Sequence, residues 1–274
     1  MAGTALSQDH VKQMWELGVE PHVWNGEAPL EGSMRIMRGV THILHANRPT
    51  KKGDMVLKHH ADLLTQIAPN LKWYGYLSSV AVYGDTKNEI ATESFEPNPI
   101  SAMGQLYLRC EKRHRKLHKK DGLPLHVFRC GSIYGPRQNA FRRASSGAPS
   151  IVHKSGHVTP FIHVRDLNQI ISASIIHPDP GAIYNCVDDL AVGPEKPIEI
   201  AYELLGKTKP PVVEFGGEDV QVPKGLLPQY LESQQVSNER VKSELDVALQ
   251  FPTYRDGYKA LSESRRKAME AQAE

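Results

Sequence analysis

Cysteine is scarce in this chain: three of its 274 residues, Cys110, Cys130 and Cys186. An odd, widely spaced set builds no disulfide framework and points to a reducing compartment. Net charge is nearly absent as well. The 33 Lys and Arg against 31 Asp and Glu leave +2 at neutral pH, too small a basic excess to argue for a nucleic-acid partner. Long apolar runs are missing: none approaches the ~18 residues of a membrane span, and the mean hydropathy is −0.43. No internal repeat of roughly 20–50 residues is visible. Gly (21) and Pro (19) are present in ordinary amounts, which excludes collagen-like and low-complexity classes. The segment Met1–Leu6 has no basic stretch followed by an apolar one, so no secretory signal is expected and the location expected is cytoplasmic.

With 40% hydrophobic residues over 274 positions, the chain can bury a large core or two lobes. Short apolar runs alternate with stretches of helical periodicity, the pattern of βαβ units around a parallel sheet. Strands are expected at Val19–Trp24, Gly39–Ala46, Trp73–Ser79, Leu125–Cys130, Phe161–His163 and Ile183–Val187. Helices are expected at 5–17, 54–67, 100–120, 165–177, 195–206, 238–245 and 256–273, with 137–160 an irregular excursion.

Several motifs then occur in order. Leu77-Ser78-Ser79-Val80-Ala81-Val82-Tyr83-Gly84-Asp85 ends a central strand. His45-Ala46 closes the strand before it, and Glu93 lies in a loop ahead of Pro97 and Pro99. Arg129 leads into Ile133-Tyr134-Gly135-Pro136, and Phe161-Ile162-His163-Val164-Arg165-Asp166-Leu167 opens a helix. Tyr184-Asn185-Cys186-Val187-Asp188-Asp189 and a closing run from Ser237-Asn238 to Leu245, then Pro252 and Gly257, complete the set. Together they resemble the extended or atypical short-chain dehydrogenase/reductases, the NAD(P)-dependent epimerase/dehydratase family. The resemblance implies an α/β fold: a Rossmann-like parallel sheet with a small C-terminal substrate lobe. The dinucleotide-binding part would span 1–136 and 163–189, and the lobe 137–162 and 190–274. It also implies NAD or NADP as cofactor, with Gly3, Ala46, Ser78, Ser79, Ile133 and Tyr134 as contacts. Strand ends at Ala46, Ser78-Ser79 and Gly131–Tyr134 would line one crevice, where doubly wound sheets bind ligands.

Two departures stand against the resemblance. A glycine-rich turn lets the backbone approach a pyrophosphate at a helix N-terminus. Here Gly3 resembles only the last glycine of that turn, and the first strand and the first two glycines are expected to be missing. The family also places a Tyr–Lys pair on the long helix. Counting from Pro99 and Glu111, Met103 stands at the Tyr position and Tyr107 at the Lys position. Met has no titratable proton, and Tyr107 supplies no cation to lower a neighbouring phenol's pKa. Ser79 matches the family's substrate-binding serine. Ser79, Tyr83 and Tyr107 are the candidate catalytic residues, with Tyr134 a further substitute acid.

The remaining features have plainer explanations. The basic run Arg109–Lys120 reads as the solvated face of an amphipathic helix. Among thirteen histidines, His59-His60 point to different faces, and His153 and His157 lie in a loop. No metal is expected. His163 reads as a structural hydrogen-bond partner, Cys130 as a buried small hydrophobe, and Arg142-Arg143-Ala144-Ser145 as a chance match to a kinase site. Asn25 stands near the place where an acidic residue selects NAD or an arginine NADP, so neither is selected. The expected function is an NAD(P)-binding reductase-like protein acting on a small or nucleotide-linked substrate, with weak or altered catalysis; the resemblance offers a homodimer through the long helix as one option, which that helix's basic face opposes, so the oligomeric state stays open. The alternatives are a non-catalytic Rossmann-like sensor or interaction module, or a truncated product of an active reductase gene.

Overall fold

The computed structural model describes residues 1–217 and 220–271. In chain order the elements begin β1 (Ala2–Ala5), α1 (Val11–Glu16), β2 (Glu20–Val23), α2 (Ser33–Ile36), β3 (His42–His45), α3 (Met55–Ile67) and β4 (Trp73–Ser79). They continue β5 (Ile90–Ala91), α4 (Ala102–Asp121), β6 (Leu125–Cys130), β7 (Ser132–Tyr134), α5 (Phe141–Ser145), β8 (Ile151–His153) and β9 (Phe161–His163). The rest are α6 (Val164–Ile176), β10 (Ile183–Cys186), α7 (Lys196–Leu204), β11 (Val212–Glu214), β12 (Gln235–Val236), α8 (Glu239–Leu245) and α9 (Tyr254–Glu270). The expected last helix reached residue 273; positions 272 and 273 lie outside the described residues.

The central sheet is parallel, in the order β3-β4-β6-β10. Strands β4 and β6 are covered on both faces, as expected of a parallel sheet flanked by helices. Tyr74 and Tyr76 pack on one face with Leu57 and Leu64 of α3 and Leu106 and Cys110 of α4. Trp73 and Phe128 pack on the other with Leu167 and Ile170 of α6 and Leu245 of α8. The Trp73 ring lies over Gly75, where a Cβ would overlap it. Local signals set the helix ends: Asp54 caps α3 and Ser101 caps α4, each side chain accepting an orphan amide. Gly122, at φ +71°, closes α4 in the left-handed conformation. Thr253 and Asp256 form a capping box on α9.

The N-terminus departs from the expected helix at 5–17. Ala2–Ala5 is a strand, paired in parallel with Glu20–Val23, and helix is confined to one 3-10 turn and Val11–Glu16. The apolar periodicity misled because it does not mark burial: Leu6, Trp15 and Leu17 are 67%, 59% and 72% exposed. Gly3 therefore lies inside a strand, where the Met14 and Val19 side chains close over it. It does not sit at a phosphate turn.

Among the described residues, no strand joins β1 to β3. The two parallel pieces, β2-β1 and β3-β4-β6-β10, correspond to 3-2 and to 4-5-6 with one further strand, β10, of the doubly wound order, with no strand at position 1 among the described residues. Met1–Thr4 and Thr41–His45 instead face a shared cavity of about 420 Å3. The excursion at 137–160 contains α5 and β8, and β8 pairs with β11. Around them, Tyr134, Phe141, Ile151, Ile198, Tyr202, Tyr254 and Tyr258 form a separate apolar cluster.

Candidate functional site

Strands β3, β4 and β6 are consecutive in the sheet, so Ala46, Ser78-Ser79 and Gly131–Tyr134 emerge side by side at their carboxyl ends. Their side chains do different things. Ser78 is buried and donates to Glu111 Oε1 at 2.6 Å. The same carboxylate takes two bonds from Arg129, Nε at 3.1 Å and Nη2 at 2.8 Å, a bidentate geometry. This buried network staples α4 to the sheet and leaves Ser78 no free proton. Ser79 is half-buried, and its Oγ accepts the Ala81 amide at 3.2 Å, which leaves its own proton free to donate.

Tyr83 lies in the core rather than the crevice. Its hydroxyl donates to Asn185 Oδ1 at 2.6 Å, and the Arg129 guanidinium sits over its ring. Tyr107 is largely buried with the Arg48 guanidinium alongside. Burial pushes its phenol up, Arg48 pulls it down, and the balance stays above the ordinary value. Tyr107 is thus a neutral phenol beside a cation in the place where the family has a cation. Tyr134 stacks on Tyr258 with ring centroids 5.4 Å apart. Its hydroxyl has no partner among the described residues, and burial raises its pKa. The acidic-loop Glu93 accepts the Asn185 amide at 2.8 Å, a structural task.

Beside these strand ends lies a pocket of about 460 Å3 lined by Ser132, Ile133, Tyr134, Gln138, Asn139, Arg142, Arg143, Gln229 and Tyr258, among others. Two arginines with amide side chains suit an anionic, hydroxyl-bearing ligand. Composition alone gave no reason to single out Arg142 and Arg143; the fold turns α5 toward the pocket.

The histidine expectations resolve individually. His59 faces the Gly26 carbonyl at 3.1 Å, and His60 accepts the Leu30 amide at 3.1 Å. His153 lies 3.2 Å from Glu195, and His157 faces the Gln229 carbonyl. His163 caps α6 through the Arg165 amide. The basic residues Lys112, Arg115, Lys116, Lys119 and Lys120 line a shallow outer surface of α4. No helix among the described residues is long and apolar enough to cross a membrane.

The model of the NAD dependent epimerase/dehydratase family matches residues 19–186. A functionally unknown conserved protein from Silicibacter pomeroyi DSS is similar in structure at a TM-score of 0.87 and 37% identity, over 96% of this chain and 89% of that one. A dTDP-glucose 4,6-dehydratase from Bacillus anthracis str. Ames, solved with NAD, gives 0.74 at 19% identity over 98% and 88%. A UDP-glucuronic acid 4-epimerase from Bacillus cereus, solved with UDP-glucuronic acid and NAD, gives 0.69 at 16% over 94% and 86%. No curated protein matches the chain.

Proposed function

The chain belongs to the NAD-dependent epimerase/dehydratase family, and on that premise we propose that it binds a small or nucleotide-linked substrate next to a weakened NAD(P) site, with weak or altered catalysis. One observation carries this: the pocket holding Arg142 and Arg143 is formed, while the sheet beside the cofactor crevice is split between β1 and β3.

The fit to a dinucleotide is one-sided. Ala46, Ser79 and Ile133 stand at the strand ends that such a cofactor crosses. Nothing matches the pyrophosphate. The sequence has no Gly-x-Gly-x-x-Gly run, and Gly3 is packed inside β1. Without a glycine turn at a helix N-terminus, the diphosphate loses its amide donors and the positive dipole end. The residues present therefore do not fit a firmly held dinucleotide. The proton-transfer pair is altered in the same direction. Met103 carries no proton, and Tyr107, held neutral beside Arg48, is the one phenol left on that face of α4. Ser79 anchors a substrate oxygen without an acid–base partner of the usual kind. Met103 also favours a second reading, a non-catalytic sensor that keeps the pocket and not the chemistry.

Calorimetry with UDP-glucose and dTDP-glucose tests the pocket. The expected result is saturable binding that weakens about tenfold or more in R142A/R143A, the scale of a lost charge-assisted phosphate contact. Binding by neither nucleotide sugar, or equal binding by the double variant, contradicts the proposal. A ligand-bound protein that shows no turnover of either sugar with NAD+ or NADP+ selects the sensor reading.

A further inference from the structure

Behind the crevice, four side chains from four elements meet in the core: His45 at the end of β3, Asp54 capping α3, Tyr74 in β4 and His114 in α4. All are at most 3% exposed. His45 Nδ1 lies 3.0 Å from the Tyr74 hydroxyl and 3.2 Å from His114 Nε2, and the hydroxyl lies 3.2 Å from that same Nε2. Asp54 Oδ2 is 3.6 Å from His114 Nε2, and Asp54 Oδ1 is 3.7 Å from His45 Nε2.

With both imidazoles neutral and Asp54 ionised, protons alone do not satisfy this cluster. His114 Nδ1 faces the Cys110 carbonyl at 3.0 Å, so a neutral ring carries its proton there and leaves Nε2 bare. Asp54 Oδ1 accepts the Leu57 amide at 3.0 Å. Asp54 Oδ2 has no donor among the described residues; the unprotonated His114 Nε2 lies 3.6 Å from it. A buried carboxylate oxygen without a donor or cation is costly.

We propose that His45, His114, Asp54 and the Tyr74 oxygen form a divalent transition-metal site of the zinc type. A tetrahedral ion with bonds of 2.0–2.1 Å has ligand–ligand edges of about 3.4 Å; His45 Nδ1, His114 Nε2 and the Tyr74 oxygen lie 3.0–3.2 Å apart, Asp54 Oδ2 lies 3.6 Å from His114 Nε2, and the histidine and aspartate ligand atoms all lie within 4.8 Å of one another. Two imidazoles and a carboxylate suit zinc and its neighbours rather than magnesium or calcium. The His114 Nδ1–carbonyl bond is the outer contact that orients a metal-binding histidine. With four protein ligands the site is closed, so its task is structural: it ties β3, β4, α3 and α4 together along the edge where the sheet is split. His45 also lines the cavity between β1 and β3, which gives the ion a way in.

The test uses the purified chain, stripped with a chelator and dialysed. Zinc titrated calorimetrically should bind at one equivalent and raise the melting temperature, and cobalt(II) should develop the strong visible bands of a four-coordinate site. Asp54→Asn keeps a good helix cap, so it should fold with an apo melting temperature at or above wild type, yet lose at least about tenfold in zinc affinity. Tyr74→Phe should fold and bind zinc with a changed cobalt spectrum. The proposal is overturned if wild type takes up no stoichiometric zinc, if zinc leaves its melting temperature unmoved, or if Asp54→Asn binds zinc and shifts as wild type does. The last outcome would assign the uptake to other histidines.

Discussion

At the residue scale, the Glu111–Arg129–Ser78 network fixes α4 to the centre of the sheet. Its centre is the Glu111 carboxylate, which accepts from Ser78 and from two nitrogens of Arg129, while Arg129 Nη1 has no partner among the described residues. Removing the acid in Glu111→Ala leaves the guanidinium buried and uncompensated, which costs about 3–5 kcal/mol; urea unfolding should show a midpoint shifted down accordingly. Asp188 works the other way. It is buried with Oδ2 unpartnered among the described residues. Burial first, then the like charges of Asp189 and Asp166, push its pKa up to about 8 against the opposing amides of Leu190 and Tyr254. A carboxyl whose folded pKa lies above its unfolded value of about 3.9 holds its proton more tightly when folded. Stability is therefore highest at low pH within this window and falls as pH rises from about 4 to about 8. Melting curves between pH 5 and 8.5 should fall more steeply for wild type than for Asp188→Asn; parallel slopes would remove Asp188 as the cause. Neither role was legible in sequence. Arg129 and Asp188 were visible as motif members, but their burial and partners come from elements far apart in the chain.

At the element scale, the C-terminal helix α9 packs against Tyr134 of β7. A Cβ on Gly257 would land on the Tyr134 hydroxyl, and Tyr134 cannot swing away because it stacks on Tyr258. Gly257→Ala should destabilise by roughly 1–3 kcal/mol and loosen the pocket that Tyr134 and Tyr258 share, read as a lower melting temperature with weaker nucleotide-sugar binding. The strands were the most legible elements. Trp73–Ser79, Leu125–Cys130 and Phe161–His163 match the expected ranges residue for residue, because a strand buried on both faces leaves a dense apolar run between polar turns. The first element was not legible. Exposed Leu6, Trp15 and Leu17 imitate a buried helical stripe, and Ala2–Ala5 declares itself a strand only through its pairing with β2. The metal candidates show the same limit. His45, Asp54, Tyr74 and His114 follow no ligand spacing, and only folding brings them together, whereas the suggestive pairs His59-His60 and His153/His157 each have separate partners.

At the scale of the whole molecule, the protein has a doubly wound sheet in two pieces, with an arginine-lined pocket on its C-terminal side. The order β3-β4-β6-β10 follows from the right-handed βαβ logic the sequence displays. On the proposed reading, the split between β1 and β3 weakens the hold on a diphosphate, because position 1 of the doubly wound order is the strand whose end carries the pyrophosphate turn. Substrate binding and cofactor binding should therefore come apart in this chain. Calorimetric titration of the 274-residue protein with NADH and NADPH, in parallel with UDP-glucose, measures that separation directly. The account predicts saturable binding of the nucleotide sugar and no micromolar binding of either dinucleotide. Micromolar affinity for NADH or NADPH would contradict it, and would mean that residues other than a glycine turn hold the diphosphate.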